Sequence, residues 1–216
     1  GAGPVVLSAA LAPFAPAPWV VSGAHGLELV EESRGFGRMC AFHGQMGMFV
    51  RAYAYMLSHG ADGLRQVAED AVLNANYIKA RLSDLMSPAF PNGPCMHEAL
   101  FDDAWLEGTG VTTLDFAKAM IDEGFHPMTM YFPLVVHGAM LIEPTETESK
   151  QELDRFVTAL RALAGAVAKI KNGGGDVDRF KGAPFHAPLK RLDETRAARS
   201  PKLRWTAPEG SNIAAE

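Results

Sequence analysis

Cysteine is scarce. The 216 residues hold two, Cys40 and Cys95, too few and too far apart for a disulfide framework or a CxxC metal knuckle, so a reducing compartment is expected. Positive charge is also short. The formal net charge is -5, and no dense Lys/Arg run occurs before the tail, which argues against nucleic acid as a partner. Long apolar runs are missing as well. The stretch VVLSAALAPFAPAPWVV is broken by Pro13, Pro16 and Pro18 and has no basic segment ahead of it. It reads as neither a membrane helix nor a signal peptide.

The short motifs that announce chemistry are absent too. None of the seven histidines shows HxH or HxxxH spacing, and no HExxH, GxGxxG, Walker A or GxSxG occurs. A zinc site would have to be assembled from distant positions, and none is read from the sequence. GAGP at the start and GFGR at 35–38 are short glycine loops through which a backbone could approach a phosphate, but such tetrapeptides are common in turns.

What remains is an ordinary globular composition, 48% apolar and 21% charged, in a chain long for one domain and short for two. Residues 1–44 are rich in Gly and Pro and suggest strands at WVVSG and LELVEE. QMGMFVRAYAYMLSHG is apolar on nearly every side, with Arg51 the main interruption. Such a helix expects neighbours on several faces. DGLRQVAEDAVLNANYIKARLSDLM predicts a long amphipathic helix opened by Asp62, with Leu64, Val67, Ala71, Ile78 and Leu82 at helical spacing. After a break at Pro88, Pro91 and Pro94, CMHEALFD reads as a strand and TTLDFAKAMIDEGF as a short helix opened by Thr112 or Thr113. MTMYFP and GAMLIEP follow, the second ending a strand at Pro144. The order strand, helix, strand, strand, helix predicts a small α+β layer with helices on one face. The tail holds little helix outside RLDETRAARS.

EPTETESKQELDRFVTALRAL, from residue 143, is the densest polar cluster. Thr145 with Glu148 three residues later fits a capping box, and Glu146 is placed to pair with Lys150. Leu153, Phe156, Val157, Leu160, Leu163 and Val167 form the stripe to be buried. A capped helix start needs the same carboxylates that an acid/base site would, so Glu143, Glu146 and Glu148 read as architecture. His97 in PCMHEA and His126 in GFHP stand at the edges of predicted strands, where side chains often face a cleft.

Taken together, MLIEPTETESKQELDRF, GFHPMTMYFP, PCMHEALFD, AVLNANYIKARL, FGRMCAFHGQMG and PLKRLDETRAARSPKLRW resemble the C-terminal half of the glycine-cleavage P-protein family. These are pyridoxal-phosphate-dependent glycine dehydrogenases (decarboxylating), and the tail is similar to subunit 2 of the two-subunit form. The resemblance implies an α/β chain with a small α+β domain, the C-terminal part of a type I, aspartate-aminotransferase-like pyridoxal-phosphate fold. Residues 1–75 would end the large domain and begin the linking helix, 76–170 would be the small domain, and 171–216 an extension. It also implies decarboxylation of glycine, with the aminomethyl group passed to the lipoyl arm of the H-protein.

The family's Schiff-base lysine stands upstream of a glycine loop that resembles GAGPVV. No lysine here has that context, so no catalytic residue is assigned and the chain alone is expected to be inactive. The resemblance places Gly1 and Gly3 beside the cofactor and Arg38, His97 and His126 near the substrate cleft, with Arg38 suited to a carboxylate. It implies subunit 1, lipoylated H-protein and glycine as partners, and a bacterial cytoplasm or a mitochondrial matrix as location. A first residue that is not methionine fits a piece of a longer polypeptide. The alternative is a non-catalytic module of the same fold that binds a partner.

Overall fold

The computed structural model describes residues 3, 5–31, 34–39 and 44–207. The chain divides into two compact units, Gly1–Arg65 and Gln66–Glu216.

In the first unit, β1 (Trp19–Gly23) and β2 (Gly26–Val30) form an antiparallel hairpin with Trp19 opposite Val30 and Gly23 opposite Gly26. Both strands lie where the sequence suggested them. The helix α1 (Met46–Leu82) begins in this unit and is interrupted at Gly60, whose φ of 64° and ψ of -174° are not helical. The break falls at Gly60, the residue on which the apolar segment QMGMFVRAYAYMLSHG ends, because glycine takes a positive φ without the steric cost an L side chain meets. Among the described residues of this unit only Ala17 is buried. Phe49, Val50, Tyr53, Met56 and Leu57 are exposed, so the all-round apolar segment is not covered as its pattern expects. The side chains that would cover it are not among the described residues of this unit.

The second unit holds the remainder of α1 and a three-stranded antiparallel sheet of β3 (Ala99–Phe101), β4 (Thr129–Met130) and β5 (Met140–Ile142), ordered β3-β5-β4. Leu100 stands opposite Leu141, and Leu141 opposite Thr129. Side chains alternate across a strand. Ala99, Phe101, Met140 and Ile142 therefore point to one face, where all four are buried, while Leu100 and Leu141 share the other, half-buried face. Against the buried face pack α2 (Thr113–Asp122) and α3 (Lys150–Lys171).

α2 forms where the sequence places it, with a complete capping box. The Asp115 N–H donates to Thr112 Oγ1 at 3.2 Å, and the Thr112 N–H donates to Asp115 Oδ2 at 2.9 Å. Leu153, Val157, Leu160, Leu163 and Val167 of α3 are buried and Phe156 is partly so, each full burial stabilising by roughly 1.5–3 kcal/mol. The cap of α3 differs from expectation. Ser149, not Thr145, accepts the N-terminal hydrogen bond, from Glu152 N at 3.2 Å. Thr145 instead closes the turn after β5: its carbonyl accepts from Glu148 N at 3.2 Å and from Asn74 Nδ2 at 3.0 Å. Lys150 pairs with Asp154, and Arg161 grips Asp84 with two bonds of 2.5 and 2.8 Å.

The segment after α3 is fastened to α2. It contains α4 (Asp178–Lys181) and α5 (Glu194–Arg199). Asp115, 3% exposed at its side chain, binds Lys181 Nζ at 2.7 Å and Arg191 Nη1 at 2.8 Å. Arg191 also donates to the carbonyls of Ala183 and Phe180, and Asp122 accepts the backbone N–H groups of Phe185 and His186. Burial opposes ionisation of Asp115, but hydrogen bonds from Lys181, Thr112 and Arg191 override it and hold the carboxyl at about 2. Phe180 stacks on Phe116 at 6.4 Å, and Trp105 meets the same ring edge-on at 5.0 Å.

Candidate functional site

The register of β3 on β5 sets the geometry of the site. Ala99 faces Ile142, so one step outward Glu98 stands across from Glu143, on the half-buried face that carries Leu100 and Leu141. His97 precedes them. Its Nε2 lies 3.9 Å from Glu98 Oε1 and 3.9 Å from Glu143 Oε1. Asn76 of α1 fixes the entry of this strand, donating to the Cys95 carbonyl at 2.8 Å and accepting the Cys95 N–H at 2.9 Å.

Two cavities meet here. One, of about 480 Å³, is lined by Phe125, His126, Glu143, Glu148, Glu152 and Phe156 among others. The second, of about 510 Å³, is lined by Lys79, Phe90, Cys95, Glu98 and Phe132 among others. Leu141 borders both. The first combines three carboxylates and an imidazole with apolar walls, and among the described residues only Glu152 of the three has a guanidinium beside it, Arg155 Nη1 at 2.8 Å. That arrangement favours a cationic or hydrogen-bond-donating guest over an anion. Lys79 does not offset it, since its ammonium donates to the carbonyls of Phe90 and Gly93 at 2.7 and 2.9 Å.

The residues singled out in the sequence fall as follows. His126 lines the first cavity, and His97 touches Glu143 of the same cavity wall. Arg38 lies in the first unit, exposed, with its Nη2 3.3 Å from Glu31 Oε1. Gly3 is exposed, with nothing within 4 Å of where a side chain would start. Gly1 and Cys40 lie outside the described residues. Sequence reasoning read Glu143 as architecture and did not single out Glu98; their convergence appears only once the strand register is known. It also passed over His137, which binds Asp103 at 2.8 Å and is thereby raised above the usual histidine range. Beside it Gly138, at φ 55°, leaves room for the Asp103 side chain that a Cβ would strike.

The family described as glycine dehydrogenase, C-terminal domain, matches residues 67–188. This chain belongs to that family. It is similar to the probable glycine dehydrogenase (decarboxylating) subunit 2 of Caulobacter vibrioides, 77% identical over 222 residues that cover 100% of this chain and 41% of the relative. The protein of the same description from Kosmotoga olearia is 45% identical over 97% of this chain and 42% of its own length. The glycine dehydrogenase match thus spans about two-fifths of those relatives. Among solved structures, the inhibitor-bound glycine decarboxylase (P-protein) of the glycine cleavage system aligns with a TM-score of 0.55. It covers 72% of this chain and 37% of that one at 18% identity. This likeness shows the shared fold. Among the described residues, no helix is long and apolar enough to cross a membrane.

Proposed function

We propose that this chain is one part of a pyridoxal-phosphate-dependent glycine dehydrogenase (decarboxylating) and forms a wall of its substrate cleft. The family match over residues 67–188 is the observation that carries this reading. In it, residues 1–75 end the cofactor domain and 76–170 form the small domain. The rest of the polypeptide and a subunit 1 complete the enzyme, and lipoylated H-protein receives the one-carbon amine derived from glycine, in a bacterial cytoplasm or a mitochondrial matrix.

In this reading none of the described lysines is the covalent anchor that the cofactor requires. Lys79 is bound to two carbonyls, Lys150 to Asp154 and Lys181 to Asp115, while Lys118, Lys169 and Lys171 lie on α2 and α3 and Lys190 and Lys202 lie in the segment after α3. The part left to this chain is binding and positioning. His126 and His97 would border the cleft, and Arg38, whose Nη2 lies 3.3 Å from the exposed Glu31 carboxylate, would exchange Glu31 for the carboxylate of glycine. Gly1 and Gly3 would let the backbone approach the cofactor.

The test is a chimera in which this chain replaces the matching segment of the Caulobacter vibrioides relative. Glycine-dependent release of carbon dioxide is expected from the chimera with its subunit partner and pyridoxal phosphate. The 216-residue chain alone is expected to give neither that activity nor a borohydride-reducible adduct. A cooperatively melting chimera without activity would overturn the reading, as would a stoichiometric adduct at one lysine of the isolated chain.

A further inference from the structure

We propose that His97, Glu98 and Glu143 form a binding site for a divalent first-row metal ion, with zinc the best fit. One ligand atom from each of the three lies within 4.8 Å of the other two. The site is assembled across strands, from the residues leading into β3 and the residue that follows β5.

Two features of the fold call for a cation here. The β3–β5 register sets Glu98 and Glu143 directly across from each other on the same face, where like charges repel and destabilise a sheet. Among the described residues neither is paired with Lys or Arg; their recorded partner is the His97 ring. That ring sits equally far from both, 3.9 Å in each case, too long for a hydrogen bond to either. An imidazole and two carboxylates, hydrogen-bonded to none of one another, thus bring three metal-ligand atoms to one point. Metal bonds of about 2.0–2.2 Å would bring neighbouring ligand atoms to about 3.3 Å. The three side chains are 36–57% exposed and free to close by that amount.

The donor set selects the ion. One borderline nitrogen with two oxygens suits zinc and then manganese over calcium or magnesium, which prefer oxygen alone. Three protein ligands leave a coordination position open, as in zinc sites that retain water or bind a guest. Glu143 also lines the 480 Å³ cavity, so the open position borders a space large enough for a small molecule. Binding would further pin β3 to β5 and stabilise the second unit by linkage.

The experiment is titration of the metal-stripped 216-residue chain with Zn²⁺, Mn²⁺ and Ca²⁺, read by calorimetry and by the melting temperature. One equivalent of Zn²⁺ is expected to bind and raise the melting temperature, with Mn²⁺ weaker and Ca²⁺ weaker still. His97→Gln and Glu143→Gln are each expected to weaken Zn²⁺ binding about tenfold or more, on the scale of ligand-sphere losses, while His137→Asn leaves it unchanged. Without metal, Glu143→Gln is expected to melt no lower than the parent, since it removes a repulsion; this separates ligand loss from misfolding. Absence of saturable Zn²⁺ binding would overturn the proposal, as would binding that survives both substitutions or preferential binding of Ca²⁺.

Discussion

The first third of α1 and the whole of α3 are both rich in apolar side chains, yet their fates differ. In α3 the apolar residues keep to one stripe and are buried, while Lys150, Asp154, Glu152 and Arg155 pair with one another. Between Met46 and His59 the apolar residues go all round the helix, Arg51 is the one Lys, Arg, Asp or Glu, and Phe49, Val50, Tyr53 and Leu57 remain exposed. Apolar content alone does not make a core. A stripe needs one neighbour, and a helix without a polar face needs cover on every side. The second unit supplies its own cover; the described residues of the first do not.

The sharpest way to test this contrast is to remove one aromatic ring from each region. Phe116, fully buried between Trp105 and Phe180, is expected to cost about 3–5 kcal/mol on replacement by alanine. Tyr53→Ala, at an exposed position, should change unfolding of the same chain by less than about 0.5 kcal/mol. Denaturant unfolding with a probe in the second unit measures both. Equal costs would mean that the first unit is packed as tightly as the second.

Next in size is the acidic clamp of the second unit. Asp115 titrates at about 2 in place of its ordinary 3.8. Its stabilisation is complete above pH 3.8 and fades as the pH falls toward 2. The shift corresponds to about 2 kcal/mol. Asp115→Asn is therefore expected to lose about that much at neutral pH, with the gap from the parent closing as the solution is acidified through that window. A gap that stayed constant with pH would show that packing, not charge, fastens the tail to α2.

A smaller effect distinguishes two caps. Ser149→Ala is expected to cost about 1 kcal/mol, and Thr145→Ala much less at the cap, because the turn after β5 uses the Thr145 carbonyl and not its hydroxyl. Thr145 does donate or accept a hydroxyl bond with Thr147 at 2.6 Å, but that link lies outside the helix.

The same pair shows what was legible before any coordinates. Thr145–Glu148 and Ser149–Glu152 both satisfy the capping-box spacing, and local chemistry does not choose between them. The tertiary bond from Asn74 and the need to turn out of β5 decide for Ser149. By contrast α2 was readable to within one residue at its start, where Thr112 and Thr113 were both candidates and Thr112 is the cap, and at its close, where Gly124 takes a positive φ. The stripe of α3 was readable for the same reason: period alone determines which face is buried. The site was only half visible. His97 and His126 stood out as single residues beside strands, but the approach of Glu98 to Glu143 depends on pairing segments more than forty residues apart, which no local pattern encodes. Arg38 drew notice for its chemistry, and its recorded partner is an exposed glutamate seven residues away.

The least change in stability, and the most direct reading of the comparison, belongs to the exposed face of α1. Val50→Glu is expected to alter unfolding by less than about 0.5 kcal/mol, because Val50 loses little burial when replaced. The physical consequence should appear in association instead. A contiguous apolar surface around Phe49, Val50, Tyr53 and Leu57 is driven together in water. The isolated chain should therefore scatter as more than a monomer, and Val50→Glu should shift it toward monomer by placing a charge where burial would be required. If the parent chain is a monomer at the highest concentrations tested, that face is not sticky and its exposure needs no partner. If Val50→Glu instead lowers the melting temperature by several degrees, Val50 is packed. In that case the first unit would own the cover that α3 finds in the second.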